Sequence, residues 1–149
     1  MKCKWSSKIN NELICNHEAD DSGYCIFHKK HKTKEENKEV IKLIKEKKIS
    51  DFSGFIFEEN FNINEVIDYS YKELNFTETT FVKEALFNNY IFKGKTIFNQ
   101  TNFLDFTTFI NSKFRYTAIF NNVIFNSKHS NKKIFMGVEF TGQNLVISS

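Results

Sequence analysis

Three cysteines and a histidine lie close together near the start of the chain, in CKWSSKINNELICNHEADDSGYCIFH, residues 3–28. The set is Cys3, Cys15, Cys25 and His28, and its last two members form a C-x2-H pair that allows two side chains of one turn to face one ion. Thiolate sulfur and imidazole nitrogen suit Zn²⁺, and four such ligands complete a tetrahedral site. The spacing predicts a closed zinc centre with a structural role.

Other interpretations of this segment remain open. His17, two residues after Cys15, is an alternative donor, and the cluster could also be a chance grouping in a polar leader. The odd number of cysteines, clustered within the first 25 residues beside histidine, favours a metal over a disulfide. A catalytic metal would need an open coordination position and a general base such as Glu18, and nothing else in the sequence supports hydrolysis. We predict that the protein is not an enzyme.

Phenylalanine recurs at a fixed spacing through the second half of the chain. The steps alternate five and six residues, so the repeat is eleven residues long. The ten positions are Phe76, Phe81, Phe87, Phe92, Phe98, Phe103, Phe109, Phe114, Phe120 and Phe125. Neither a helix nor a flat strand has this period. An eleven-residue helical coiled coil is also excluded, because residues five apart on a helix point well away from each other.

The residue two positions before each of these phenylalanines indicates the backbone conformation. Eight of these ten residues are small or β-branched, among them Thr79, Thr101 and Ser112. In an extended segment these residues face the same side as the phenylalanine. Each unit is therefore a short strand with one large and one small inward group, and its repetition predicts a right-handed parallel solenoid. Phe55 and Phe106 lie off the main repeat and are the phenylalanines that could be exposed.

Short tripeptides in this region resemble the A-(D/N)-L-x-x unit of pentapeptide-repeat proteins: TNF (101–103), SDF (50–52) and QNL (143–145). The alternation of five and six is similar to a Phe-rich subtype of that family, and the resemblance covers about residues 50–149. It implies a mainly β fold, a right-handed four-sided parallel β-helix in which two eleven-residue repeats make one turn. The implied columns are Phe76/Phe98/Phe120, Phe81/Phe103/Phe125, Phe87/Phe109 and Phe92/Phe114.

The sequence departs from this pattern in two places. The repeat is lost between residues 58 and 73, and NSKHSNKK (126–133) reads as a polar insertion loop, after which Phe135, Phe140 and Leu145 resume at five-residue steps. The N-terminal spacing is similar to plant WRC-type zinc modules and to the N-terminal module of some pentapeptide-repeat proteins. In that resemblance the matching residues are Cys3, Cys15, Cys25 and His28.

A helix is predicted between the zinc module and the repeats. Thr33 and Glu36 form a capping box, and acidic residues early with lysines late suit the helix dipole. Val40 and Ile44 belong to one apolar stripe. Since a solenoid end needs a cover, we predict a zinc module (1–32), a capping helix (33–49) and a β-helix (50–149). A membrane-surface helix is the alternative, and the mixture of Glu and Lys on the polar face argues against it.

Charge and hydropathy bound the class of protein. The net charge is +3, with 12 Lys/Arg against 8 Asp/Glu in residues 1–50 and 9 against 10 in residues 51–149. There is no run of 18 apolar residues that would predict a transmembrane helix, and the start lacks the apolar core of a signal peptide. We therefore expect a cytoplasmic protein with no membrane partner.

We predict a non-enzymatic scaffold that binds another protein through a face or an end of the coil. The candidate binding residues include two pairs, and the members of each pair are two repeats apart: Ile97 with Ile119, and Lys93 with Arg115. Leu145, in the last coil, is the fifth candidate. The C-terminal coil is a possible homodimer surface, and the resemblance implies the same because pentapeptide coils often dimerise end to end.

Nucleic-acid binding is the alternative function. Nucleic acid would contact the Lys93/Arg115 corner and four lysines of the basic N-terminal segment. These four are Lys29, Lys30, Lys32 and Lys34. The resemblance adds a third hypothesis, since some pentapeptide-repeat proteins look like duplex DNA and so occupy topoisomerases. That mimicry needs a strong negative field, and a coil with 9 basic and 10 acidic residues lacks one.

Overall fold

A helix precedes a long series of very short strands. The computed structural model describes residues 1–68, 73–125, 134–142 and 145–148. Helix α1 spans Lys34–Lys47 and the single turn α2 spans Ile63–Val66. The strands are β1 (Ile56–Phe57), β2 (Phe61–Asn62), β3 (Leu74–Asn75), β4 (Thr80–Phe81), β5 (Ala85–Leu86), β6 (Ile91–Phe92), β7 (Thr96–Ile97), β8 (Asn102–Phe103), β9 (Thr107–Thr108), β10 (Lys113–Phe114), β11 (Ala118–Asn121), β12 (Ile124–Phe125), β13 (Glu139–Phe140) and β14 (Leu145–Ser148). Neither helix is long and apolar enough to cross a membrane.

These strands pair in parallel in four sheets, ordered β1-β4-β8-β12, β2-β5-β9, β3-β7-β11-β14 and β6-β10-β13. Leu74 pairs with Thr96 and Thr96 with Ala118, so the paired residues are separated by two eleven-residue repeats in both cases. The chain is therefore a parallel β-solenoid, and the predicted length of one turn is confirmed in its central part. The right-handed winding and the four-sided cross-section stay predictions, because strand pairing alone fixes neither.

Extra residues enter the solenoid in its first and last coils. Ile56 of β1 pairs with Thr80 of β4, a step slightly longer than two repeats, and α2 lies within that coil. This insertion accounts for the loss of the repeat between 58 and 73. The step from Lys113 of β10 to its partner Glu139 of β13 is longer still, and the polar loop predicted at 126–133 falls in this coil but outside the described residues. In both coils the strands return to parallel pairing with the neighbouring coil.

Stacked phenylalanine rings fill the interior. All four columns expected from the sequence are confirmed, with neighbouring rings 4.3 to 5.2 Å apart and within 11° of parallel. The columns also continue past their expected members, through the pairs Phe52–Phe76, Phe57–Phe81, Phe109–Phe135 and Phe114–Phe140. Rings of different columns meet edge to face, a favourable arrangement for aromatic pairs.

The small inward residues lie between these rings and are hydrogen-bonded. Thr79 and Thr101 are fully buried. The Thr79 hydroxyl donates to the Phe52 carbonyl at 2.8 Å, and the Thr101 hydroxyl donates to the Phe76 carbonyl at 2.7 Å. A buried hydroxyl without a partner is costly. Threonine is tolerated in this core because its hydroxyl bonds to the backbone of the neighbouring coil.

The backbone corners explain why five-residue and six-residue steps alternate. Positive φ angles recur every eleven residues, each time two residues after an inward phenylalanine, at Glu78, Asn89, Gln100, Asn111 and Asn122. In the first of these corners the Thr79 N–H donates to the Phe76 carbonyl at 3.1 Å. A four-residue turn with positive φ at its third residue is a type II turn. Such turns lie in the five-residue steps, so two kinds of corner alternate along the chain.

Helix α1 is confirmed together with its capping box. The Glu36 N–H donates to the Thr33 hydroxyl at 3.1 Å, and the Thr33 N–H donates to the Glu36 carboxylate at 2.8 Å. Val40 and Ile44 are buried in one continuous core with Phe52 of the first coil. The apolar stripe of α1 therefore packs on the start of the solenoid.

The expectation that Phe55 could be exposed is wrong. Phe55 is only 4% exposed, and its ring stacks on that of Phe27 with 4.5 Å between centroids. It lies two residues before Phe57, in the inward position that small residues occupy in later coils. The larger ring fits there because its partner comes from the N-terminal module. Phe106 is half-buried.

We predict that Phe103→Ala lowers the free energy of unfolding by about 3–5 kcal/mol, because the substitution leaves a cavity between stacked rings. Leu104→Ala is the matched control, since Leu104 is the next residue and is exposed. We expect this control to change stability by less than about 0.5 kcal/mol. Urea unfolding followed by circular dichroism measures both values. Equal midpoints for the two variants would contradict the inward position of Phe103.

Candidate metal centre

Local backbone pairing brings the cysteines together. Antiparallel bridges join the first residues of the chain to residues 14–18, so that Cys3 and Cys15 lie on neighbouring segments. A turn follows in which the His28 N–H donates to the Cys25 carbonyl at 3.0 Å. This turn places the Cys25 and His28 side chains on the same side as the other two cysteines.

The four predicted ligands form one buried group. The ligand atoms of Cys3, Cys15, Cys25 and His28 all lie within 4.8 Å of one another. His28 Nδ1 is 3.5 Å from Cys3 Sγ and 3.2 Å from Cys25 Sγ, and the sulfurs of Cys15 and Cys25 are 3.7 Å apart. Tetrahedral coordination with metal–sulfur bonds of about 2.3 Å separates ligand atoms by roughly 3.5–3.8 Å. The group is thus able to hold a metal ion.

His17, the alternative donor, lies at the edge of this group. Its Nδ1 is 3.2 Å from Cys15 Sγ, and its ring packs edge-on against Phe27. The side chain is exposed, whereas the four grouped residues are buried. A ligand set without His17 therefore excludes water more completely.

The orientation of His28 is fixed by a residue of the solenoid. His28 Nε2 lies 2.9 Å from the Ser53 carbonyl oxygen. Since a carbonyl can only accept, Nε2 carries the proton and Nδ1 presents its lone pair to the sulfurs. Metal-binding histidines usually have such a partner on the second nitrogen. Trp5 stacks on the same imidazole, with 4.6 Å between centroids and 4° between planes.

Neither Ser53 nor Trp5 was predicted from the sequence. Ser53 acts through its backbone carbonyl, which leaves no signature in its residue type. Trp5 did leave a signal, because the single tryptophan of the chain lies two residues after Cys3.

Burial disfavours the charged forms of Cys15, Cys25 and His28. It raises the pKa of the Cys15 thiol, and it raises the pKa of the Cys25 thiol to about 12. Burial also lowers the pKa of His28 to about 4, although the hydrogen bond to Ser53 opposes that change. A cation between the sulfurs would favour the thiolates instead. Cation binding and proton loss are therefore coupled at this site.

Four of the predicted surface residues lie on the outer faces of the coil, whereas Leu145 lies in the register of the inward-facing Ala118. Ile97 pairs with Ile119 in the register of β7 and β11, so these two stack as expected. Ile97 is only 9% exposed and offers little surface, whereas Lys93 and Arg115 are exposed. Leu145 is 43% exposed. A binding role for these five residues stays a prediction.

Two of the lysines named for nucleic-acid binding are engaged in the fold. Lys29 bridges the carboxylates of Asp20 and Glu36, at 2.6 Å each. Lys32 has a fully buried side chain, and its Nζ donates to the Ile56 carbonyl at 2.7 Å. Their charges are thus compensated or withdrawn from solvent, which weakens the basic module as a phosphate-binding surface.

The last coil ends in an apolar cavity of about 510 Å³. Phe125, Phe135, Phe140 and Ile147 line it. Phe140 and Ile147 are 38% and 69% exposed, in contrast to the fully buried rings of the central coils. In the described part of the chain, this is where inward-facing side chains are most open to solvent.

Comparison with models of known protein families, with characterised proteins and with solved structures finds no match to this chain. The description of the solenoid therefore rests on its strand register, and that of the metal-binding group rests on its geometry.

We predict that metal binding releases protons and weakens as the pH falls. Cys15 and Cys25 have raised pKa values, so both thiols carry a proton at neutral pH and must lose it to bind an ion. His28, with a pKa of about 4, is already neutral and contributes no proton. Calorimetric titration of the metal-free protein in buffers of different ionisation enthalpy should show at least two protons released per ion.

The affinity should then fall by at least about 100-fold per pH unit between pH 8 and 6, as expected when two or more protons compete with the ion. Release of less than one proton, with an affinity that does not depend on pH, would show that the thiols are not the ligands.

Proposed function

We propose that the protein is a non-enzymatic protein-interaction scaffold, a pentapeptide-repeat solenoid with a structural zinc centre. The observation that carries this proposal is the difference between the two ends of the coil. At one end the metal-binding group and α1 pack on the first coil. At the other end the inward side chains of the last coil surround an open cavity.

The assignment to the pentapeptide-repeat type is supported by the eleven-residue repeat and by its structural counterpart. Inward phenylalanines, small inward residues and type II corners all follow the same period. Four parallel sheets, each built from strands one coil apart, agree with one repeat unit per face.

Zinc is the metal that best suits the ligand set. Three thiolates and one imidazole in a buried, closed group are typical of structural zinc sites, which keep no coordination position for substrate. Such thiolates need reduced cysteines, so we place the protein in a reducing compartment such as the cytoplasm.

The interior of the coil limits where a partner or a substrate can bind. In its described central part, stacked and edge-to-face phenylalanine rings occupy the space between the sheets. No room is left there for a substrate. Binding must therefore use the outer faces or an end.

A second copy of the chain is the simplest partner for the C-terminal end. Phe140, Leu145 and Ile147 offer exposed apolar groups, and β12, β13 and β14 are the last strands of their sheets. Open strand edges pair readily with other chains. Because the opposite end is covered, tail-to-tail contact with two-fold symmetry closes the assembly without forming a fibre.

We predict one equivalent of zinc in protein purified without added metal. Cys25→Ala should retain less than a third of an equivalent, because it removes a central ligand. His17→Ala should retain the full equivalent, because the His17 side chain lies outside the buried group. Elemental analysis measures all three proteins. Full retention by Cys25→Ala would reject the ligand set, and loss from His17→Ala would make His17 a ligand.

We predict a homodimer of twice 17.6 kDa at micromolar concentration. Ile147→Asp should convert it to a monomer, because Ile147 lies in the Phe120 register and faces the cavity. Val146→Asp is the matched control: Val146 pairs with Ile119, on the outward side of the same strand. Light scattering measures each mass.

A monomeric parent protein would reject the second copy as partner and leave a different protein as the occupant of this end. Equal dissociation of both variants would place the contact elsewhere. Nuclease treatment before the measurement tests the nucleic-acid alternative, which requires that association be lost when nucleic acid is removed.

A further inference from the structure

The first coil ends in a backbone hydrogen bond to the N-terminal module. Along one sheet, the Thr80 N–H donates to the Phe55 carbonyl and the Asn102 N–H donates to the Thr79 carbonyl, each at 2.9 Å. The equivalent N–H of the first coil belongs to Ile56. It donates to the Phe27 carbonyl, also at 2.9 Å. Phe27 thus takes the place that a preceding coil would occupy.

Side-chain stacking continues across the same boundary. The Phe27 ring lies parallel to that of Phe55, 8° apart, at the 4.5 Å spacing found within the columns. Phe27 is also the residue directly before His28 in the Cys25–His28 turn. The residue that extends the solenoid is therefore held in place by two of the metal ligands.

A buried lysine and a glutamate join the module to the same strand. Lys32 Nζ donates to the carbonyl of Ile56, which lies in β1. Glu58, directly after β1, accepts the backbone N–H groups of His31 and Lys32 at 2.8 Å each. Burial opposes ionisation of Glu58, but these hydrogen bonds and the charge of Lys32 lower its pKa overall. The module thus occupies the edge of β1 that is not paired with β4.

The solenoid in turn completes the surroundings of the metal ligands. Ser53 accepts the His28 Nε2 proton. Gly54, the next residue, has a φ of +72°, and a Cβ atom there would collide with the indole of Trp5. Trp5 is the residue that stacks on His28. The lack of a side chain at Gly54 lets the coil approach the indole of Trp5 closely, while the neighbouring Ser53 contacts the imidazole.

We propose that the metal centre and the first coil form one cooperative unit, in which the bound ion holds Phe27 as the terminal element of the solenoid and the coil holds His28 for the ion. This inference depends on the metal site proposed above. By linkage, an ion that stabilises the coil must be bound more tightly when the coil is formed. Loss of the ion then opens the N-terminal coil, and disruption of the coil lowers the affinity for the ion.

Hydrogen exchange measured by mass spectrometry tests the first direction on the full chain. Peptides that cover residues 52–57 should lose protection when zinc is removed with a chelator. Peptides that cover residues 96–114 should keep their protection, because their coils lie farther from the module. Unchanged protection of 52–57 in protein shown to be metal-free would overturn the proposal.

Gly54→Ala tests the second direction without changing a ligand. We expect zinc affinity, measured by competition with a chromophoric chelator, to fall by about 10–100-fold, as when a partner outside the ligand set is lost. Gly137→Ala is the matched control. Gly137 has a similar φ of +68° and the same place two residues after an inward phenylalanine, but it lies in the last coil. The zinc affinity of Gly137→Ala should stay within about 2-fold of that of the parent protein.

The outcomes separate this proposal from the metal site itself. A parent protein that binds no zinc rejects the metal site. A parent that binds zinc, with equal affinities in the two glycine variants, keeps the metal site and rejects the coupling. If Gly54→Ala does not fold, Trp5→Ala decides, because it removes the contact without backbone strain. An unchanged affinity in Trp5→Ala would also count against the coupling.

Discussion

The stacking distance of aromatic rings sets the geometry of the whole solenoid. Neighbouring strands of a sheet lie about 4.8 Å apart, and the rings in each column lie 4.3 to 5.2 Å apart. One register therefore satisfies both the backbone hydrogen bonds and the ring contacts. Most strands contain two residues, too few to fix a register by themselves. A shift of one residue would turn the phenylalanines from the interior to the outer face, so the columns hold the strands in register.

Each column of stacked rings has two ends, and these ends matter because the sheets contain only three or four strands. In a solenoid, stability is approximately a sum over repeats and their neighbour contacts, so in a short one the two terminal coils form a large share of the whole. The described residues end the stack in two ways. At the first coil Phe27 adds a further ring over Phe55. At the last coil Phe135 and Phe140 each stack on one ring of the preceding coil and remain partly exposed to solvent.

The repeat and the grouping of Cys3, Cys15, Cys25 and His28 could be predicted, because both depend on residue types and their spacing in the sequence. The columns follow from phenylalanine alone, and the capping box follows from Thr33 and Glu36. The buried position of Phe55 could not be predicted, because it depends on Phe27, a partner far earlier in the sequence and in another segment. The type II corners were also missed. Asn89, Asn111 and Asn122 did carry a signal, because asparagine is usual at positive φ, but Glu78 and Gln100 at the equivalent positions did not. Lys32 resembles its solvated neighbours in sequence, and only the contact with β1 shows that it is buried.

The relative size of the interactions indicates what an ion bound at the proposed site would contribute. A single backbone hydrogen bond contributes about 1 kcal/mol and an aromatic pair about 0.5–1.5 kcal/mol. A few such contacts between the module and the first coil cannot order some thirty residues that have little apolar surface of their own. A structural zinc site contributes roughly 10–16 kcal/mol in small peptides. A zinc ion at the proposed site would therefore stabilise the fold of the module, while the weaker contacts of Phe27 and Ser53 join the module to the solenoid. Each part lacks what the other provides: the module has too small a core, and the first coil has no preceding coil.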